Sequence, residues 1–233
     1  MTSLLEVENL HAYYGLSHIL HGVTFAIAPG EIVSVVGRNG AGRSTLLKAL
    51  MGMAKATGSV RFKEQEISGL KTFEIARHGI AYVPEERAVF PSLTVEQNLL
   101  LGLKSAAASR RTMEMLLRRF PQLALRLQTR ADALSGGEQQ MLSLCRSLMG
   151  EPALMLIDEP TEGLSPQMVR QVADFLFMLK EQGVAVLLVE QKMKIALEIS
   201  QRVLVMGQGK IVFTGTPEEL RDNPEISRVW LAL

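Results

Sequence analysis

The sequence has one cysteine, almost no net charge and no long apolar run, and each of these absences excludes a class of protein. With only Cys145 among 233 residues, neither an internal disulfide framework nor a cysteine metal cluster can form. The formal net charge of +1 gives no whole-molecule attraction to nucleic acid, so no nucleic-acid partner is expected. No stretch approaches the ~20 apolar residues that span a bilayer, and the N-terminal MTSLLEVENL lacks a secretory pattern. We therefore expect a soluble protein that meets a membrane only through a partner.

The hydrophobic residues, 47% of the chain, are arranged in a pattern that predicts an α/β fold. Short apolar runs at 32–36, 80–83, 153–157 and 184–189 alternate with helical segments, which is typical of a mostly parallel sheet covered on both faces. Segments 4–10 and 18–27 look like antiparallel strands, and 59–62 looks like a short strand. Residues from about 91 to 152 have helical patterns, with Thr94 and Gln97 as a capping box, and Ser165 with Pro166 predicts the start of a helix over 166–181. We therefore predict one domain over residues 1–233, in which a core sheet carries an antiparallel β subdomain and an all-helical insertion at approximately 91–152.

A glycine-rich stretch, GRNGAGRST, follows the apolar run at 32–36 and precedes a helical segment. Its residues are Gly37, Arg38, Asn39, Gly40, Ala41, Gly42, Arg43, Ser44 and Thr45. Strand, glycine-rich loop and helix together indicate a phosphate-binding loop, because the backbone N–H groups and the helix N-terminus attract anions. The hydroxyl of Ser44 suits Mg²⁺. The pattern normally has lysine at position 43, where this chain has arginine.

Polar side chains follow three of the apolar runs. Asp158 and Glu159 come after LMLI, Glu85 follows the run at 80–83, and Gln191 follows the run at 184–189. In a parallel sheet such groups meet beyond the carboxyl ends of the strands, where ligands bind. A lone Asp-Glu pair is more often a solvated strand end. With a phosphate-binding loop upstream, Asp158 suits a magnesium site and Glu159 suits a base for water.

The stretch Leu134, Ser135, Gly136, Gly137 and Glu138 is the second specific signal. Ser135 and Glu138 form a capping box, which alone explains a helix start. The two glycines add nothing to such a cap and cost backbone entropy. They fit better if a phosphate approaches the bare N–H groups of the helix tip.

Taken in order, these motifs resemble those of ATP-binding subunits of ABC transporters over essentially the whole chain. The loop at 37–45 corresponds to Walker A, 154–159 to Walker B, 134–138 to the signature and 161–166 to the D-loop. Glu85 falls at the Q-loop position, Gln191 at the switch-histidine position and Tyr14 at the adenine-stacking aromatic. The stretches VPE at 83–85 and VEQ at 189–191 are similar to those of importers for branched-chain or hydrophobic amino acids. Urea and aromatic-compound importers carry similar ATPases.

The resemblance implies a head-to-tail dimer that holds two ATP molecules, each between the P-loop of one subunit and the signature of the other. It assigns adenine stacking to Tyr14, Mg²⁺ and its waters to Ser44, Glu85 and Asp158, and polarisation of the attacking water to Glu159. It also implies transmembrane permease subunits, a periplasmic solute-binding protein and a peripheral position on the cytoplasmic face of the cell membrane.

The chain departs from the family most clearly at Arg43. Arginine keeps the positive charge, but its planar fork is wider than an ammonium group, so we predict weaker ATP binding and impaired hydrolysis at this P-loop. A relaxed loop that accommodates the arginine is the alternative. Gln191 and Glu85 are typical of the branch, and Ser165 stands where many relatives have aspartate. The resemblance to importers of this branch implies a heterodimer with two different ATPase subunits. We therefore expect a second, different ATPase subunit, and one of the two ATP sites to hydrolyse ATP slowly.

Three functions stay open at this stage. The first is the ATP-hydrolysing subunit of an amino acid importer. The second is a regulatory ABC subunit that holds nucleotide with little hydrolysis, as Arg43 suggests. The third is a soluble ABC ATPase outside transport, although that class typically joins two such domains in one chain.

Overall fold

The computed structural model describes residues 3–103 and 106–231. The ten strands of this part of the chain are β1 (Leu5–Tyr14), β2 (Ser17–Ile27), β3 (Ile32–Gly37), β4 (Lys55–Phe62), β5 (Gln65–Glu66), β6 (Ile80–Val83), β7 (Leu154–Asp158), β8 (Ala185–Val189), β9 (Arg202–Gly207) and β10 (Lys210–Gly215). The α-helices are α1 (Arg43–Leu50), α2 (Thr72–His78), α3 (Val95–Leu100), α4 (Ala106–Arg119), α5 (Pro121–Ala124), α6 (Gly136–Leu148), α7 (Pro166–Glu181), α8 (Met193–Ile199), α9 (Pro217–Arg221) and α10 (Pro224–Ile226). The predicted domain over 1–233 includes positions 1, 2, 104, 105, 232 and 233, which lie outside the described residues.

Two sheets form the framework, as the sequence predicts. The six-stranded sheet has the order β10-β9-β3-β8-β7-β6, and every pairing in it is parallel except that of β10 with β9. The smaller sheet, β2-β1-β4-β5, is antiparallel. Because β3 lies in the middle of the larger sheet, the loop that follows it is held from both sides.

The core forms around the two faces of the six-stranded sheet. One cluster joins one face to α1 and to the antiparallel sheet, and includes Leu46, Leu187 and Leu204. Another joins the opposite face to α3–α7, and includes Met141 and Phe175. Strands β7 and β8 are buried along their whole length, which explains their continuous apolar runs.

The helical segment α3–α6 lies in the chain between the paired strands β6 and β7. Thr94 and Gln97 make the predicted capping box at the start of α3. Cys145 is fully buried on α6, and burial raises the pKa of its thiol. It is therefore a core residue, as its apolar neighbours indicate.

The structure corrects several boundaries. The strand predicted at 59–62 begins at Lys55, because it pairs with β1 beyond the bulge near Glu8. Helix α2 (Thr72–His78) was not predicted, since only Ile75 in it is buried and one apolar residue gives no periodicity. Helix α7 matches its predicted bounds of 166–181, starting from the Ser165 cap.

Candidate functional site

The loop between β3 and α1 is shaped by glycines with left-handed backbone. Gly40 has φ 80° and Gly42, the N-cap of α1, has φ 99°, values that other residues adopt only under strain. At Gly37 a Cβ would lie 2.3 Å from the carbonyl oxygen of Met206, so the strand end also requires glycine. The result is a tight loop that opens into the N-terminus of α1.

A cleft of about 390 Å³ lies in front of this loop. It is lined by residues from the loop, from α1 and from three strand ends: Asn39, Gly40, Gly42, Arg43, Ser44, Thr45, Glu85, Glu159, Glu162 and Gln191. The sequence therefore predicted correctly that Glu85, Glu159 and Gln191 meet at the P-loop. A polar cleft at a helix N-terminus suits a phosphorylated ligand.

The remaining P-loop residues lie around the cleft. Arg38 and Ala41 line a neighbouring cavity on another side of the loop, together with Trp230. Gly37 lines a third cavity with Gln191 and Leu231. The C-terminal segment thus packs beside the loop, a contact that no sequence pattern predicts.

Ser44 and Asp158 form the pair that suits a magnesium ion. The Ser44 hydroxyl donates to Oδ1 of Asp158 over 3.0 Å, and the Tyr82 hydroxyl lies 3.5 Å from Oδ2. Burial raises the pKa of Asp158, and the charge of Glu85 adds to that shift. Hard oxygen ligands and surplus negative charge fit Mg²⁺, which binds few protein groups and keeps its other ligands from phosphate and water. The described residues contain no cluster of three or more His, Cys, Asp or Glu that could hold a metal ion.

Arg43 bonds to its own chain through three contacts. Its Nη2 lies 2.9 Å from Oε1 of Glu159 and donates to Oδ1 of Asn39 over 3.2 Å, while Nη1 donates to the Glu190 carbonyl over 2.9 Å. Its side chain is only 5% exposed. The guanidinium therefore joins the P-loop to the ends of β7 and β8. A lysine ammonium is a single point charge and has no planar fork with which to make the same contacts.

Glu159 combines an unusual backbone with an unusual charge environment. Its φ is 43°, which is uncommon for a residue other than glycine, and its N–H donates to the Val189 carbonyl. Burial raises the pKa of its carboxyl group; Arg43 opposes this shift, while Glu85, Asp158 and Glu190 add to it. A carboxyl group in a cleft with a raised pKa is a candidate for accepting a proton.

Two further contacts involve Gln191, which the sequence analysis singled out, and Glu190, to which it gave no role. Gln191 donates from Nε2 to Oδ1 of Asn39 over 2.8 Å, so the switch-position residue is bonded to the P-loop. Glu190 is 1% exposed and accepts a hydrogen bond from the Thr161 hydroxyl over 2.7 Å. The only sequence signal for Glu190 was its position at the end of a buried strand.

The stretch 134–138 forms the tip of α6 and lies outside the cleft of its own chain. Leu134 is buried, and Ser135 is exposed. The Ser135 hydroxyl accepts from the Glu138 N–H over 3.3 Å, and the Glu138 carboxylate accepts from the Ser135 N–H over 2.8 Å, which is the predicted capping box. A Cβ on Gly137 would lie 2.6 Å from the side chain of Met168, so a larger residue here would have to displace that methionine.

Gly136 lies against an arginine that the sequence did not single out. A Cβ on it would lie 2.2 Å from Nη1 of Arg87, and the same guanidinium lies near Gly163.

Tyr14 ends β1 and is 45% exposed, so its ring is accessible to a ligand.

Among the described residues, no helix is both long and apolar enough to cross a membrane.

A family model described as ABC transporter matches residues 20–162, which include the P-loop, the signature stretch and Glu159. The chain is 41% identical over 231 residues to the high-affinity branched-chain amino acid transport ATP-binding protein BraG of Pseudomonas aeruginosa, covering 98% of this chain and 99% of that protein. It is 34% identical to the probable branched-chain amino acid transport ATP-binding protein LivF of Archaeoglobus fulgidus, covering 99% of each.

Solved structures agree with the fold. The ADP conformation of an ATP-binding cassette of an ABC transporter superposes with a TM-score of 0.83 at 26% identity, covering 96% of this chain and 94% of that one. The predicted fold class, a mostly parallel core sheet with an antiparallel β subdomain, is therefore confirmed.

Proposed function

This chain belongs to the ABC transporter family, and from that premise we propose that it is the ATP-binding and ATP-hydrolysing subunit of an importer for branched-chain or other hydrophobic amino acids. The observation that carries the proposal is the meeting of a P-loop and Glu159 in one cleft, where the P-loop residue Ser44 is hydrogen-bonded to the buried Asp158. The solute class rests on the two relatives named for branched-chain amino acid transport, with which the chain aligns over nearly its full length.

We assign separate roles in ATP binding and hydrolysis to the residues in and around the cleft. We assign the phosphates of ATP to residues 37–45 and the adenine to Tyr14. Ser44, Asp158 and Glu85 would hold Mg²⁺, which supplies positive charge for the developing negative charge of phosphoryl transfer. Glu159 accepts the proton of the attacking water, and Gln191 donates a hydrogen bond toward the terminal phosphate.

The signature stretch serves a second subunit. ABC ATPase subunits dimerise and work with transmembrane permeases, and a head-to-tail pair brings the P-loop of one copy to the α6 tip of another. The exposed Ser135 at the N-terminus of α6 fits contact with a triphosphate bound at the P-loop of another subunit. We propose a heterodimer with a second ABC subunit, permeases on the cytoplasmic face of the membrane, and a periplasmic solute-binding protein.

Arg43 favours one alternative, a regulatory subunit that binds nucleotide and hydrolyses it slowly. Its bond to Glu159 lowers the proton affinity of the group that must accept a proton, since Arg43 opposes the raised pKa of that carboxyl. In a heterodimer this effect is confined to one of two sites, because the signature of this chain completes the other. A homodimer with full turnover would contradict the one-slow-site proposal.

The decisive experiment is the substitution Glu159→Gln in the chain co-purified with its permeases. If Glu159 acts in hydrolysis, the variant complex retains bound ATP, which extraction of the nucleotide and its chromatography detect. Wild-type protein under the same conditions releases ADP and phosphate. A regulatory binder behaves identically with either residue, which would assign the chain to the alternative.

A further inference from the structure

Glu190 is a buried carboxylate that fastens two functional loops together. One oxygen, Oε1, accepts from the Thr161 hydroxyl over 2.7 Å and from the Thr161 N–H over 3.3 Å. The other, Oε2, accepts from the backbone N–H groups of Gln191 over 3.0 Å and of Lys192 over 3.1 Å. Both oxygens are thus fully engaged, and the side chain is 1% exposed.

The charge on Glu190 is compensated by these donors rather than by a cation. Among the described residues no Lys, Arg or His forms an ion pair with it. Burying a carboxylate without a counter-ion is unfavourable unless its lone pairs are satisfied. Four donors converge on it here, so this arrangement fixes the two loops more tightly than a neutral side chain could.

The two fastened loops are the ones that carry the proposed chemistry. Thr161 is two residues after Glu159, and Gln191 directly follows Glu190. A second bond joins the same loops, since Nζ of Lys192 donates to the Thr161 carbonyl over 2.9 Å. The backbone carbonyl of Glu190 also receives Nη1 of Arg43, which links the pair of loops to the P-loop.

We propose that Glu190 is a positioning residue for ATP hydrolysis, whose carboxylate sets the location of Gln191 relative to Glu159. The proposal rests on the function proposed above and adds a residue to it. Glu190 does not line the cleft, so it acts through its neighbours and not on the nucleotide. In-line attack depends on placement to within about an ångström, and misplacement costs on the order of 10²-fold in rate.

The test uses single-turnover hydrolysis of radiolabelled ATP by the full chain in its permease complex. Glu190→Gln keeps the shape but replaces one acceptor oxygen with an NH₂ group that faces other donors. We expect the hydrolysis rate to fall by about 10- to 100-fold, while the ATP dissociation constant changes by less than about twofold, because the P-loop is unaltered.

The chain offers a matched control in Glu66. This carboxylate also fastens a loop, accepting from the Ser59 hydroxyl and from the N–H groups of Val60 and Ser68, but it lies in the antiparallel sheet. Glu66→Gln removes a comparable set of bonds, so a general effect of loosening a loop would appear there too. We expect its hydrolysis rate to match that of the wild type.

A second pair of variants keeps the proposal testable if Glu190→Gln does not fold. Thr161→Val removes the hydroxyl donor and is expected to slow hydrolysis severalfold, whereas Thr161→Ser retains the donor and restores the rate. Equal rates for the two variants overturn the proposal, as does a Glu190→Gln rate within about twofold of wild type. A loss of ATP binding parallel to the loss of rate also overturns it, since that indicates a purely structural role. Wild-type protein that binds ATP without hydrolysing it refutes the proposed hydrolysis, and this role with it.

Discussion

The two nucleotide-facing regions of this chain differ in how their polar groups are used. At the P-loop, the guanidinium of Arg43 is buried and bonded to Asn39, Glu159 and the Glu190 carbonyl. At the α6 tip, Ser135 is exposed, and its hydroxyl bonds to Glu138, three residues away. The only departure from the Walker A pattern, Arg43, is therefore held by hydrogen bonds within its own chain. The signature stretch has no such departure, and we propose that another subunit uses it.

It follows that a change that slows hydrolysis at one ATP site of the proposed dimer need not slow hydrolysis at the other. In the proposed head-to-tail dimer, a substitution in the P-loop acts on the ATP held by the same chain, whereas a change at the α6 tip acts on the ATP of the partner. The experiments below alter one region at a time.

The largest effect is expected from a negative charge at the α6 tip. Ser135→Glu places a carboxylate where the partner's triphosphate is proposed to dock, so like-charge repulsion and loss of the serine donor should lower hydrolysis at the partner's P-loop by at least about 10²-fold. Binding of ATP to this chain's own P-loop should change by less than about twofold. ATPase assays and equilibrium ATP binding measure the two quantities.

The matched control is Thr216→Glu. Thr216 is the N-cap of α9 and forms the same kind of capping box with Glu219, so the cost in helix stability is the same, about 1 kcal/mol. Hydrolysis by this control should equal that of wild type. If both variants lose activity equally, the α6 tip has no special role and the comparison fails.

The second effect concerns the P-loop region. Arg43→Lys restores the residue that the Walker A pattern normally has and replaces a bidentate fork with a point charge. We expect hydrolysis at this chain's P-loop to rise by about 10²-fold, in line with the rate cost of misplaced groups. Single-turnover assays measure the change, and an unaltered rate would show that the loop has adapted to arginine.

Arg202→Lys is the control for replacing a bidentate guanidinium contact with a lysine at a position outside the cleft. Arg202 contacts Glu31 through both Nε and Nη2, at 2.8 and 2.9 Å, away from the cleft. Its replacement should lower the melting temperature slightly without changing the hydrolysis rate, which separates a general stability effect from a catalytic one.

The smallest effect is expected at Tyr14, the proposed adenine contact at the end of β1. Stacking of a base on an aromatic ring contributes about 1–3 kcal/mol, so Tyr14→Ala should weaken ATP binding by roughly tenfold. The neighbouring Tyr13 stacks on His18, with ring centroids 4.4 Å apart, and Tyr13→Ala should leave ATP affinity unchanged. Equal losses in a titration with both variants would remove the assignment.

The sequence predicted what depends on local patterns. The P-loop, the capping box of Ser135 and Glu138, and the buried strands β7 and β8 all follow from residues that are close in the chain, and the strand ends met as the topology of parallel sheets requires. The arginine at position 43 can be read from the sequence, but its hydrogen bond cannot, because the accepting carbonyl of Glu190 is 147 positions away. Such contacts depend on register and rotamer, which periodicity does not encode.

The same limit applies to Glu190 and Arg87. A glutamate after a buried strand gives no indication that its carboxylate receives four donors, and an arginine in a loop gives no indication that it covers Gly136. Helix α2 was missed for a related reason, since its single buried residue leaves no amphipathic pattern.

The burial of Cys145 has a practical consequence. Because the only native thiol is enclosed in the core and held protonated by its surroundings, it reacts poorly with maleimides and oxidants. A cysteine introduced on the surface therefore becomes the sole reactive thiol of the molecule, with no need to remove Cys145. Fluorescent labels or cross-linkers can then report distances between copies of an otherwise unaltered chain.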